Sequence, residues 1–320
     1  MRMLSRVADS LYWMSRYLER AEHIARLVNV NLNLTLDRAP GDAVRHWGRL
    51  LASLPAPPAW EAPTRPQSLE RAVLDLANRE AIAACVGTAR ENARQVRGEI
   101  SSEMWQEINR LYLGVQTRQL TESEWTAGTH EFLTSVIEGV HLFQGVTDAT
   151  MTHSEGWHFI ELGRYLERGT ATASLLDVQF RECEVDADQV ESVSDYVEWV
   201  GLLKSCCAFE AYCRHYTADL RSTRIAEFLV LNPDFPRSVH FAMARVQASL
   251  GSIGVLTGHL NGHAARLAGR LLASLNYGMI DEIIADLPTY VQDIVRQAGD
   301  IDSALFQEYV AYPADTGLAV

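Results

Sequence analysis

Lysine is almost missing from this chain: of 28 basic residues only Lys204 is a lysine, and the rest are arginines. Arginine offers a planar fork of donors suited to carboxylate or phosphate, where lysine would offer a mobile point charge. A base-composition bias of the genome gives the same excess with no function behind it. Cysteine is also scarce. Cys85, Cys183, Cys206, Cys207 and Cys213 are odd in number and lack zinc-ligand spacing, so they read as buried reduced thiols and argue against a disulfide framework. Positive charge is short overall, with 41 acidic residues against those 28 and a net charge of -13, which excludes broad attraction to a nucleic-acid backbone. No apolar run reaches the ~18 residues of a membrane span, and Asp9 comes too early for a signal peptide, so no membrane and a cytoplasmic location are expected. Missing too are a nucleophile elbow, an H-E-x-x-H pair, a C-x-x-C pair and any phosphate-cradling glycine loop.

What is present is a helix former's composition, 48% hydrophobic, in 320 residues, enough for one large core. Val7, Leu11, Met14, Leu18, Ala21, Ala25, Val28 and Leu32 recur at three and four, predicting a long helix from Ser5 to Leu36. A shorter helix is predicted over Asp42 to Leu54, before a connection rich in proline from Pro55 to Pro66. Further helices are predicted over Ser68 to Val86, Thr88 to Leu113, Glu131 to Gly145, Ser154 to Phe180, Ser192 to Tyr216, Arg221 to Leu231, Ser238 to Asn276, Asp281 to Arg296 and Ser303 to Tyr312. Gly87 is expected to break the chain there, with Thr88 capping the next helix, and the acidic stretch from Glu182 to Asp188 to be a connection. The fold class is therefore all-α, a multi-helix bundle, without the strands of a Rossmann or P-loop protein.

One segment occurs twice. Arg16-Tyr17-Leu18-Glu19-Arg20 is repeated as Arg164-Tyr165-Leu166-Glu167-Arg168, and in the same register Ala25 matches Ala173 and Leu27 matches Leu175. A single helical body with a pseudo-two-fold repeat is expected, its halves roughly 1–145 and 154–320.

Residues three or four apart share a helix face, so Arg16, Glu19, Arg20 and His23 form one polar strip and Arg164, Glu167 and Arg168 its counterpart. Opposed, the strips can pair each Glu with an Arg and leave one guanidinium for an anionic ligand; equally, they can form a buried ion network that only sets helix register. Arg90, Glu91, Asn92, Arg94 and Arg97 make a second cluster, leading to Glu99, Glu103 and Glu107, whose one-turn spacing suits a shared proton or hard cation but is also common on exposed helices. If Gly145 ends its helix, Thr147, Asp148 and Thr150 lie on a turn able to reach a ligand, beside the titratable His153. Asp281, Glu282 and Asp286 suit a helix's first turn. No metal site is assigned.

Several segments together resemble the bacterial alpha-E proteins, a helical family named for a Glu-Arg motif. They are Ser5 to Met14, Arg16 to Ala21, Arg90 to Arg94, Ser101 to Trp105, Gly145 to Met151, Gly163 to Arg168, Phe209 to Tyr212, Phe235 to Val239 and Asp281 to Ile283. The Glu-Arg motif maps onto Glu19-Arg20 and again onto Glu167-Arg168. The resemblance implies company with a circularly permuted ATP-grasp protein and a transglutaminase-like protein in ATP-dependent amide or peptide formation, with ATP and Mg held by the ATP-grasp partner and no cofactor assigned to this chain. On that footing Arg16, Arg20, Arg164 and Arg168, with Asp148, Glu91, Asn92, Arg94 and Glu103, are expected to hold an acidic small molecule or peptide. Glu19 and Glu167 would orient the arginines or accept a proton. The alternatives are a noncatalytic helical scaffold and an independent transferase.

Overall fold

A computed structural model describes residues 3, 5–35, 46–48, 50–54, 81–117, 125–182, 193–217, 219–258, 260 and 262–311. Among the described residues no strand occurs, residues 46–48 and 50–52 are helical, and twelve further α-helices lie wholly within them. They are α1 (Ser5–Thr35), α2 (Ile82–Gln95), α3 (Ser102–Thr117), α4 (Trp125–Thr150), α5 (Glu155–Glu182), α6 (Val193–Ser205), α7 (Phe209–Tyr216), α8 (Ser222–Leu231), α9 (Val239–Thr257), α10 (His263–Asn276), α11 (Ile280–Ile283) and α12 (Leu287–Leu305). The two helices that carry the repeated pentapeptide, α1 and α5, pack on each other along the centre. Around α1 lie α2 and α4, bridged by α3; around α5 lie α9 and α12, bridged by α10.

The close approach of α1 and α5 has a local cause. A Cβ on Gly163 would stand 2.3 Å from the Tyr12 carbonyl oxygen, so only glycine lets the two backbones meet there. Gly169, one residue beyond the second pentapeptide, packs against the side chains of Met243 and Ala242 of α9. With neighbours on several sides, residues 18–25 of α1 and 156–169 of α5, His158 aside, are buried whether apolar or charged. Leu11, Met14, Leu18, Ile24, Phe159, Ile160, Leu166 and Leu176 are enclosed in the core.

Several predicted boundaries move. Gly87 lies within α2, where Thr88 donates to the Ala84 carbonyl instead of capping a new helix. The break comes at Val96 to Ser101, and the Ser101 hydroxyl accepts from the Met104 N–H at the start of α3, which passes through Gly114. Gly145 does not end α4; the helix runs on to Thr150 while Thr147 and Thr150 donate to carbonyls four residues back, so Asp148 sits on a helix and not on a turn. The span from Ser192 to Tyr216 divides at Cys206 to Ala208, with Cys207 in the left-handed region at φ 53°. The span from Ser238 to Asn276 divides at Gly258, φ 75°. Pro288 is tolerated because it falls in the first turn of α12, where no intrahelical N–H is needed, and Asp286 caps that turn. The last predicted helix begins earlier, since α12 runs unbroken through Ser303 to Leu305 and closes in a wider turn over Phe306–Val310. Cys85 and Cys206 are buried free thiols, but Cys207 is exposed and Cys213 half-buried, against the expectation of burial for all. The proline-rich connection, the acidic connection from 183 onward, Cys183 and residues 68–80 lie outside the described residues.

Candidate functional site

At the α1/α5 crossing the two pentapeptides exchange partners. Arg20 Nε donates to Glu167 Oε1 at 2.6 Å and its Nη2 to Oε2 at 3.2 Å. Reciprocally, Arg168 Nε donates to Glu19 Oε1 at 2.6 Å and its Nη2 to Oε2 at 2.8 Å. Each guanidinium also lies by the tyrosine three residues before it, Arg20 5.6 Å from the Tyr17 ring and Arg168 5.1 Å from the Tyr165 ring. Both carboxylates are almost fully enclosed, at 1% and 2% exposure. Planar two-point pairs of this kind are the strong form of charge-assisted hydrogen bond.

Further donors fill both acids. Arg16 Nε reaches Glu167 Oε2 at 2.8 Å, and Gln144 of α4 donates to Glu19 Oε2 at 3.0 Å. Arg237, in the turn just before α9, lies 3.9 Å from Glu19 and donates at 2.7 Å to Glu22, which also receives Arg26. Burial alone would raise the Glu19, Glu22 and Glu167 carboxyls, yet the guanidiniums of Arg168, Arg237 and Arg16 with Arg20, respectively, hold all three below the usual carboxylate range. Such acids are poor proton acceptors, and their oxygens are already occupied. The arrangement supports the register-setting reading of Glu19 and Glu167, not proton transfer.

The outer arginines of the two pentapeptides differ. Arg16 is filled at its far side as well, with Nη1 3.0 Å from Asp302 Oδ2, while the Tyr12 hydroxyl donates to Asp302 Oδ1 at 2.6 Å. Arg164 is paired on one side only. Its Nη1 lies 2.8 Å from Glu161 Oε1, off the hydrogen-bonding direction, and 3.9 Å from Asp148 Oδ2. Its Nε and Nη2 are buried with no hydrogen-bond partner among the described residues, although the side chain is only 6% exposed. Arg245 of α9 takes the other Glu161 oxygen at 2.7 Å and leaves its own Nε unpartnered. Trp157 closes the group by donating from Nε1 to Asp148 at 3.4 Å, and His153 stacks on its ring at 4.1 Å. A buried donor left unmade costs about 1–3 kcal/mol. A hydrogen-bond acceptor placed at this edge, neutral or anionic, would repay it.

Of the expected site residues, Arg16, Arg20, Arg168, Glu19 and Glu167 meet in the clasp, and Arg164 meets Asp148 at its edge. Glu91 and Arg94 pair with each other on the surface at 2.6 Å, and Glu103 is exposed in the first turn of α3. Asn92 is half-buried on α2, and among the described residues no hydrogen bond or ion pair joins this group to the clasp. Arg90 is occupied by Asn109 and the rings of Trp105 and Tyr112. Glu107 pairs with Arg110, and no group of three metal-ligating side chains comes together among the described residues. Glu22, Arg237, Glu161 and Arg245 were not foreseen. Glu22 and Glu161 carried a signal, being three residues from Glu19 and Arg164 on the same helix faces; Arg237, in the turn before α9, and Arg245, on α9, are brought in only by the tertiary packing.

No described helix is long and apolar enough to cross a membrane. An uncharacterized protein of Mycobacterium bovis is 22% identical over 267 residues, covering 77% of this chain and 29% of the relative. An uncharacterized protein of Mycobacterium tuberculosis matches to the same extent. The chain thus spans 29% of the length of the curated relatives it matches. No solved structure matches it. The family model that matches is Alpha-E, described as a predicted alpha-helical domain with a conserved ER motif, and it covers residues 3–310. With the Glu-Arg pairs of both central helices locked across their crossing, and the match running almost end to end, the chain belongs to the Alpha-E family.

Proposed function

We propose that this chain is an accessory component that holds an acidic acceptor, a small molecule or peptide, for an ATP-grasp partner that forms amide bonds and supplies the ATP and Mg chemistry. The ATP-grasp association rests on what the family resemblance implies. The anion-holding role rests on one observation: Arg164 keeps two buried guanidinium nitrogens unpartnered beside Asp148 and Arg245. The central clasp then serves as a rigid frame, fixing α5 so that Arg164 is presented while its neighbours are neutralised. That the matched relatives are far longer than this chain agrees with a part that works alongside others.

Titration calorimetry with glutamate and short glutamate-rich peptides tests the role directly. Arg164→Met abolishes binding, and the acidic ligand raises ATP turnover of the co-purified ATP-grasp protein only with the unmutated chain. No complex, together with unchanged ATP turnover, would count against the reading. A noncatalytic scaffold is the second reading, favoured by the saturation of Glu19 and Glu167. It predicts that Arg164→Met leaves both the complex and its turnover intact.

A further inference from the structure

Away from the Arg164 edge, a cleft of ≈ 280 Å³ opens between α1 and the end of α12. Asp9, Tyr12 and Trp13 line it from α1, and Asp302, Phe306 and Val310 are among the residues that line it from the far side. The volume sits at the low end for small-molecule sites and is larger than a bare ion needs. Its charges do not balance. Asp302 has both oxygens engaged, one by the Tyr12 hydroxyl and the other by Arg16. Asp9 receives the Trp13 side-chain N–H and, among the described residues, no guanidinium. Among the described residues the two carboxylates therefore face one guanidinium, that of Arg16, which also pairs with Glu167. Burial pushes the Asp9 carboxyl up, and the nearby Asp302 adds to this although the Trp13 N–H opposes it. The remaining walls mix aromatic and apolar side chains with the polar Ser303 and Gln307, and Phe306 is 46% exposed at the rim.

We infer that this cleft is a binding site for a small organic ammonium ion, its charged nitrogen set against Asp9 and its apolar body against Trp13 and Phe306. A carboxylate short of a counter-charge selects a cation, and ring surfaces favour an organic cation over a hydrated metal ion. No ring of metal ligands is present among the described residues. Arg16 joins the cleft to the clasp, since it contacts both Asp302 and Glu167. The site is independent of the anion-holding role proposed for Arg164.

Benzylamine is the probe, with benzyl alcohol as its neutral counterpart and benzoate as the anionic one, followed by saturation-transfer NMR and calorimetry on the full chain. Benzylamine binds at neutral pH, the other two do not, and Asp9→Asn weakens binding about ten-fold or more. Phe306→Ala, at a partly exposed rim position, weakens it several-fold and keeps the test open if Asp9→Asn folds poorly. Arg164→Met leaves amine binding unchanged, so failure here is separable from failure of the acceptor role. Equal binding of benzyl alcohol, an Asp9→Asn affinity within two-fold of the parent, or no benzylamine binding at ~10 mM overturns the inference.

Discussion

Arg16 and Arg164 hold the same place in two copies of one pentapeptide, yet they end in opposite states. Arg16 is neutralised on both sides by Glu167 and Asp302, while Arg164 leaves two buried nitrogens without partners among the described residues. The inner pairs obey the repeat closely, and the outer arginines depart from it. Identity of sequence thus carries the frame, and what surrounds each copy decides where unmet binding capacity remains. For Arg16 the decisive neighbour is α12, which brings Asp302 across; for Arg164 it is α9, which brings a second cation, Arg245, to the acid that Arg164 would otherwise use fully.

Breaking the saturated side has the largest expected effect. Glu167→Gln leaves Arg16 and Arg20 buried against a neutral group, and removing one partner of a buried ion pair costs about 3–5 kcal/mol. Denaturant unfolding followed by circular dichroism measures it. Glu91→Gln, which disturbs only an exposed pair within one helix, leaves the midpoint where it was. If the two variants unfolded alike, the clasp would not be the frame.

The frame was largely legible in the sequence and its edges were not. Leucine and alanine periodicity marks α1 and α5, and the duplicated Glu-Arg spacing predicts two facing polar strips, because both are properties of a single helix. Gly163, which sets how near those helices come, looks in sequence like any helical glycine. Gly145 misled in the other direction: glycine only weakens a helix, and packing carries α4 five residues past it. Arg237 and Arg245 could not be placed by local spacing, since their partners lie 215 and 84 residues away.

Discharging the saturated side by pH is the next effect. Burial and the nearby Arg237 hold the His23 imidazole below its usual value of 6.5, and its Nε2 has no partner among the described residues. A depressed histidine means that the unfolded chain takes up the proton first, so stability is full above pH 6.5 and falls as pH drops toward the folded value. The slope from one such group is at most about 1.4 kcal/mol per pH unit. Glu19, Glu22 and Glu167 have the same sign lower down, losing their contribution as pH falls below the ordinary 4.5. Unfolding free energies measured between pH 7.5 and 5 show the first decline, and His23→Gln flattens it while leaving the acid limb in place. A parent chain equally stable at both ends of that range would rule out a buried neutral His23.

A smaller change sharpens the contrast between the outer arginines. Arg164→Met removes two unpartnered donors and leaves Glu161 its Arg245, so the loss stays below about 1 kcal/mol or reverses sign. Arg16→Met strips a guanidinium from both Glu167 and Asp302 and costs more, about 2–4 kcal/mol. Equal losses would mean that Arg164 is satisfied in solution, by water or another group, and would remove the reason for assigning it a ligand.

The smallest effect belongs to Asp9, and its direction matters more than its size. A carboxyl whose folded value is raised above 3.8 is destabilising once ionised: its contribution is intact below 3.8 and is lost as pH rises through the folded value. Asp9→Asn at neutral pH therefore raises the melting temperature slightly, by about 1–2 °C after allowing for the solvent that reaches this half-buried group. The same substitution is expected to weaken amine binding, so stability and binding move in opposite directions at one residue, as they do where a site keeps an unmet charge for its ligand. Differential scanning calorimetry with and without benzylamine reads both together. The parent gains more from the amine than the variant does, and a variant that melts lower in buffer alone would show Asp9 to be part of the frame.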